Sequence, residues 1–246
     1  MKKQLYIAEK PSVAQEFAKA LKLKTRRADG YLESDEAVIT WCVGHLVTMS
    51  YPEVYDIKYK KWSVDTLPFI PETFKYEVIS GVKKQFDIVS SLLNRPDVDT
   101  IYVCTDSGRE GEYIYRLVEQ MAGVKGKKRR RVWIDSQTEE EILRGVREAK
   151  DLSEYDNLAN AAYLRAKEDY LMGINFSRLL SLKYGQSISS CMGTRYTVIS
   201  VGRVMTCVLG MVVRREREIR VFVKTPFYRV LSSIALAGES FDGEWR

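Results

Sequence analysis

Hydrophobic positions along this chain change period several times, and each change marks an element. Residues 4–8 form a short apolar run that reads as a strand and ends on Glu9-Lys10-Pro11-Ser12. Ser12 and Gln15 have capping-box spacing, and Val13, Phe17 and Leu21 recur every four residues, so a helix is predicted to begin at Ser12. A β-rich run over residues 37–43 leads into Gly44-His45-Leu46. Residues 51–71 are rich in Pro, Tyr and Lys without periodicity and read as an irregular excursion from a sheet. Phe86, Val89 and Leu93 lie on one face of a helix predicted over 82–93, which Asn94-Arg95-Pro96-Asp97 stops.

The next run, residues 100–104, is β-branched and aromatic and hands over to a helix with Ile114, Leu117, Val118 and Met121 on one face. Residues 132–134 read as another strand, and Ser136 or Thr138 caps a helix that opens with three glutamates and runs to about 149. Alternating strand and helix signals predict an α/β unit around a mostly parallel sheet over residues 1–150, four-stranded with helices on both faces. From 155 to 184 the pattern is continuously helical. Ala161, Leu164, Leu171 and Ile174 form an apolar stripe, and Arg165, Asp169 and Gly173 share another face. Gly173 in mid-helix suggests a close approach by backbone or ligand. Residues 185–197 are predicted to break this helix. A second helix follows Ser200-Val201-Gly202-Arg203 and completes a mainly helical segment, 151–220. Residues 221–246 read as the first strands of a β domain, ending inside a hairpin as an incomplete chain would.

Composition narrows the class. The 246 residues include 45% hydrophobic and 29% charged residues, an ordinary balance for a water-soluble globular protein of one or two domains. No apolar run is long enough to span a bilayer, and Met1-Lys2-Lys3 leads into a strand rather than a signal peptide, so a cytoplasmic protein without a membrane partner is expected. Cys42, Cys104, Cys191 and Cys207 lack zinc or disulfide spacing. The net charge of +6 favours a polyanionic partner, and the six Lys or Arg among residues 125–131 read as a solvated loop able to contact phosphate.

The chemistry concentrates at the strand-to-helix junctions. Asp106, Glu110 and Glu112 crowd three carboxylates into seven residues after a strand, an arrangement relieved by a proton or a divalent cation. An acidic, solvated helix start is the alternative. Glu9 and Lys10 stand at the same kind of junction, and parallel pairing of the two strands would bring Glu9 near Asp106. His45 is the sole histidine. By itself it reads as a hydrogen-bonded structural residue.

Five segments occur in an order that resembles the type IA DNA topoisomerases, most nearly the amino-terminal third of a topoisomerase III. They are Glu9-Lys10-Pro11-Ser12, Gly44-His45-Leu46, residues 105–112, residues 164–173, and Ser200-Val201-Gly202-Arg203-Val204. The resemblance covers residues 3 to about 230. It implies a Toprim domain over 1–150 that holds Mg²⁺ on Glu9, Asp106 and Glu110, with Lys10 and Arg109 also in the catalytic centre. It implies a single-stranded DNA groove in the toroidal core, with His45, Arg165, Asp169, Arg178 and Arg203 as DNA contacts or groove supports. Three departures accompany it. Gly108 stands where many members carry a second aspartate. Met205 and Cys207 stand where Gln and Pro are usual. The family's nucleophilic tyrosine, which becomes linked to the 5′ phosphate, has no counterpart: Arg195-Tyr196-Thr197 is superficially similar but lies before Ser200 and lacks the Thr-Asp continuation. The expectation is a chain that binds single-stranded DNA and Mg²⁺ without relaxing DNA, the remainder of the topoisomerase chain being its partner. The rival readings are a stand-alone Toprim nuclease or primase-like enzyme and a noncatalytic single-stranded DNA-binding protein.

Overall fold

The computed structural model describes residues 2–245, which divide into two compact units between Val201 and Gly202. In the first, strand β1 (Lys3–Ala8) leads to helix α1 (Pro11–Ala20), and β2 (Arg26–Ala28), β3 (Tyr31–Glu33) and β4 (Ala37–Trp41) follow. A small side hairpin pairs β5 (Val47–Met49) with β6 (Tyr76–Val78) across three 3-10 turns, which make up the irregular excursion. Then come α2 (Lys83–Leu93), β7 (Val98–Cys104), α3 (Arg109–Ala122), β8 (Lys128–Arg131), α4 (Glu139–Arg147), β9 (Lys150–Asp151) and the long α5 (Asp156–Met192).

The main sheet has the order β2-β3-β4-β1-β7-β8-β9. Its centre is the expected four-stranded parallel unit, with β1 paired to β4 and β7, and β7 paired to β8. The antiparallel β2 and β3 extend one edge and β9 the other, so the full sheet has seven strands. These additions are three residues long or fewer. Strands that short carry too few positions for alternation to be read. Leu5, Ile7, Val38, Ile101 and Val103 pack on one face against α2 and α3, while Tyr6, Ala8, Ala37 and Ile39 pack on the other against α1 and α4. Covering both faces explains why the inner strands read as continuous apolar runs.

Three boundaries differ from expectation. Helix α1 starts at Pro11, with Lys10 as its extended N-cap and no side-chain cap. Proline at the first helical position supplies the helical φ, and Ser12 falls inside the first turn. Only the first part of the basic run, residues 125–127, is a loop. Residues 128–131 form β8 in register with Thr100–Val103, and the predicted strand at 132–134 is the segment that leaves the sheet. Helix α5 continues through the expected break at 185 as far as Met192, and Gly193 (φ 65°) ends it in the left-handed conformation.

The continuation of α5 has a visible cause. Gly173, Ser177, Ser181, Gly185 and Ser189 recur every four residues along one face, and the returning segment lies on them. The Ser177 and Ser181 hydroxyls accept the Val201 and Ile199 amides, both at 2.8 Å. A Cβ on Gly185 would lie 2.7 Å from the Thr197 carbonyl oxygen. The close approach predicted at Gly173 is real but milder, 3.6 Å from the Val201 oxygen.

The second unit contains α6 (Arg203–Arg220) and the hairpin of β10 (Leu231–Leu236) with β11 (Glu239–Glu244). None of its described residues is buried, and Val204, Val208, Met211 and Val212 of α6 are all more than half exposed. No helix among the described residues is long and apolar enough to cross a membrane.

Candidate active site at the carboxyl edge of the sheet

Parallel pairing sets Ala8 opposite Cys104, so the residues that follow β1 and β7 meet beyond the same edge of the sheet. Glu9 and Asp106 are therefore neighbours: the Asp106 amide donates to Glu9 Oε2 at 3.2 Å. Glu9 is only 8% exposed, whereas Asp106 is exposed. Burial, and secondarily the Asp106 charge, push the Glu9 carboxyl above its ordinary value. A carboxylate with a raised folded-state pKa binds protons more tightly in the native state. Its folding penalty is absent below about pH 4.5 and grows as pH rises through the folded value. Glu9→Gln should therefore raise the thermal midpoint at pH 7 in chelator, and the gain should vanish near pH 4. Equal midpoints at both pH values would show that Glu9 is not strained.

Helix α3 opens on the same edge, and its first turn separates two glutamates. Glu110 and Glu112 are about 200° apart around the helix axis, so they face opposite ways. Glu110 accepts a hydrogen bond from His45 Nε2 at 2.8 Å. The His45 ring meets Tyr113 edge-on, 6.1 Å between centroids. Glu112 is fully buried and paired with Arg116 and Arg131, each at 2.8 Å. The reading of three carboxylates sharing one site is thus corrected, because Glu112 is a structural counterion. Among the described residues, no three His, Cys, Asp or Glu side chains gather closely enough to hold a metal ion by themselves.

A cleft of about 370 Å³ adjoins the His45–Glu110 pair. Arg109 of α3 and Arg165, Asp169 and Tyr170 of α5 line it as well, so the four-residue spacing of Arg165 and Asp169 places both where a ligand can reach. Helix α5 is tied down beside it. The Tyr170 hydroxyl donates to the Ser50 carbonyl at 2.6 Å, and Asn175 brackets Phe69 with bonds of 2.6 and 2.9 Å. The excursion over 51–71 is what these bonds anchor. A second cleft, about 490 Å³, is lined by Asp106, Ser107, Asp135 and Ser136.

Arg178 is not in either cleft. It is 4% exposed, donates to the Tyr59 carbonyl at 2.9 Å, lies 3.8 Å from Glu53, and stacks 5.3 Å from the Trp62 ring centroid. Packed in this way, the Arg178 side chain supports the excursion over 51–71. Lys10 is exposed beside Glu9, and Arg203 is the first residue of α6 in the second unit. Tyr196 is exposed on the segment that returns along α5 and lines neither cleft.

Residues that patterning missed hold the loop in place. The Ser107 hydroxyl donates to the Ile134 carbonyl at 2.8 Å and accepts the Ile134 amide at 3.0 Å. The Thr105 hydroxyl donates to the Gly111 carbonyl at 2.8 Å. The available signal was Gly111 itself, a glycine between two glutamates in a first helical turn, where only a close approach rewards it.

Residues 4–136 match the family model of the Toprim domain. The chain belongs to the Toprim family. Residues 153–245 match the DNA topoisomerase family model. The chain is 38% identical over 234 residues to DNA topoisomerase 3 of Bacillus subtilis (strain 168), and equally so to that of Bacillus licheniformis. Identity to DNA topoisomerase 3 of Bacillus thuringiensis (strain Al Hakam) is 39% over 230 residues. These alignments take in 94–95% of this chain and 30% of each relative, so this Toprim chain spans about a third of the length of the curated relatives it matches. The similarity is to their amino-terminal region, the Toprim domain and the start of the core.

Proposed function

We propose that this chain supplies the metal-binding half of a type IA topoisomerase centre and part of its single-stranded DNA groove, in a protein whose nucleophilic tyrosine lies elsewhere. The observation that carries this reading is the pairing of Glu9 with Asp106. The Glu9 carboxylate accepts the Asp106 backbone amide, and it is buried and raised in pKa by that burial and by the Asp106 charge, so two anionic side chains come from adjoining points at the edge of the sheet. Such a hard, anionic oxygen pair fits Mg²⁺, which commonly takes one or two protein carboxylates and completes its shell with water and phosphate oxygens. Glu9 and Asp106 would hold the ion, which when bound would neutralise charge at a scissile phosphate.

The other groups have roles that follow from where they stand. Lys10, exposed next to Glu9, presents an ammonium to the phosphate region. Arg109 and Arg165 line the 370 Å³ cleft and would bind the strand's phosphates. His45 Nε2 can pass a proton to Glu110 Oε1 across 2.8 Å. The uncovered apolar side of α6 suits burial by the remainder of the topoisomerase chain. Helix α5, which brings Arg165 to the cleft, is what a bare Toprim nuclease would not require.

The test is fluorescence anisotropy with a labelled single-stranded oligonucleotide at low salt. The chain is expected to bind, and Arg165→Ala is expected to weaken binding severalfold and reduce the salt dependence by about one phosphate contact. Equal affinity of Arg165→Ala and wild type would remove the groove from this reading. The purified chain should leave negatively supercoiled plasmid unchanged with Mg²⁺, and relaxation by it would overturn the assignment of the nucleophile to another part of the protein.

A further inference from the structure

Arg131 closes the basic run over 125–131, and it is the one residue of that run whose side chain is buried, at 0% exposure. The register of β8 with β7 explains this. Arg131 pairs with Val103, so its side chain enters the space between the end of β7 and the first turn of α3. Every nitrogen of the guanidinium finds a partner there. Nε donates to Glu112 Oε2 at 2.8 Å. Nη1 donates to the carbonyls of Thr105 at 2.7 Å and of Val103 and Val132 at 3.1 Å. Nη2 donates to the Asp106 carbonyl at 2.7 Å.

The Thr105 contact has a geometric consequence. A trans peptide points its carbonyl and its amide in opposite directions. With the Thr105 carbonyl held inward by Arg131, the amide of the same peptide unit, on Asp106, is aimed at Glu9 Oε2. One charged side chain therefore orients the peptide unit that joins the two carboxylates of the site, and it grips the next carbonyl as well. Glu112 supplies the counter-charge that lets a guanidinium occupy a fully buried position. Gly111 lets the Asp106 backbone lie against α3.

We propose that Arg131 is a positioning residue of this centre: it fixes the Thr105–Asp106 peptide so that Glu9 and Asp106 present their oxygens together to a divalent cation. The proposal rests on the metal-site reading above, and it also makes a claim about the loop that holds without metal.

The test compares Arg131→Lys with Glu112→Gln in the full chain. Lysine keeps a positive charge beside Glu112 but presents it at one point, whereas Glu112, the Thr105 carbonyl and the Asp106 carbonyl are met by three different nitrogens of the planar guanidinium. Arg131→Lys is expected to weaken Mg²⁺ binding, read by titration calorimetry, by about tenfold or more, the usual scale for losing an outer-shell partner. It is also expected to speed amide hydrogen exchange of Asp106 and Ser107 by a similar factor in chelator, while the β1 amides keep wild-type rates. Glu112→Gln leaves the fork on the two carbonyls intact. It is expected to lower the thermal midpoint while changing Mg²⁺ affinity less than Arg131→Lys does. Wild-type Mg²⁺ affinity together with wild-type Asp106 exchange in a folded Arg131→Lys protein would overturn the proposal. So would a Glu112→Gln effect on Mg²⁺ equal to that of Arg131→Lys, since the role would then be general stability. If wild type itself shows no Mg²⁺ binding, the metal-site reading fails, and Asp106 exchange still decides whether Arg131 positions the loop. A measurement without substitution checks the same geometry: the Arg131 Nη protons should resist solvent exchange in native protein, and rapid exchange would overturn the fork.

Discussion

Asp106→Ala is expected to abolish the stabilisation of this chain by Mg²⁺ while leaving the metal-free protein as stable as wild type or slightly more so. The two parts of this result have separate causes. Asp106 is exposed and packs against nothing that alanine would leave empty, and its backbone amide would still donate to Glu9. Its charge is one of the influences that raise the Glu9 carboxyl, so removing it relieves a like-charge repulsion. On the metal-site reading proposed above the sign reverses with Mg²⁺, because one of the two proposed anionic ligands is lost. At a Mg²⁺ concentration a hundredfold above its dissociation constant, a ligand that binds only the native state contributes about 2.7 kcal/mol. For a chain of this size that is about 5–10 °C in thermal midpoint. Wild type should show this rise and Asp106→Ala should not, as measured by thermal unfolding in chelator and in saturating Mg²⁺. Midpoints unmoved by Mg²⁺ in both proteins would count against a metal site at this edge of the sheet.

Gly111→Ala is expected to cost about 3 kcal/mol in urea unfolding, although glycine-to-alanine exchange inside a helix ordinarily stabilises by about 0.5–1 kcal/mol. The reversal comes from backbone atoms. A Cβ at position 111 would lie 2.1 Å from the Asp106 carbonyl oxygen, 2.8 Å from its nitrogen and 2.9 Å from its carbonyl carbon. No rotamer change relieves such a clash. Either α3 shifts away from the loop, or the Asp106 carbonyl leaves Arg131 Nη2. Gly108 is the internal control. Its backbone is extended (φ 168°), and a Cβ there would meet nothing within 4 Å. Gly108→Ala should therefore fold with wild-type stability, and Gly108→Asp should do so while adding a third carboxylate near Asp106 and tightening Mg²⁺ binding. A Gly111→Ala protein as stable as Gly108→Ala would refute the close packing of α3 on the Asp106 loop.

The spacing of Arg165 and Asp169 and the strand-to-helix position of Asp106 were readable because both follow from local periodicity: four residues per helical step, and side chains that emerge where a parallel strand ends. Glu112 was misread for a related reason. Proximity in sequence to Asp106 and Glu110 suggested a shared site, but in the first turn of α3 a two-residue step turns the carboxylate into the core. Arg178 illustrates the limit of transfer by motif. The resemblance leaves it open as a DNA contact or a groove support, and only the packing of Trp62, Glu53 and the Tyr59 carbonyl around it shows a supporting side chain.

By itself, then, the sequence determined the alternation of strands and helices, the parallel unit they make, and the carboxylates at its edge, since each is written in residues close together along the chain. The tertiary structure alone decided which charges face solvent and which are buried. The basic run over 125–131 shows the physical reason most plainly. A row of arginines and lysines has no periodicity that distinguishes a loop from an edge-side strand, and only the register of β8 against β7 puts Arg131 inside, with Glu112 to neutralise it and the Asp106 loop in its grip.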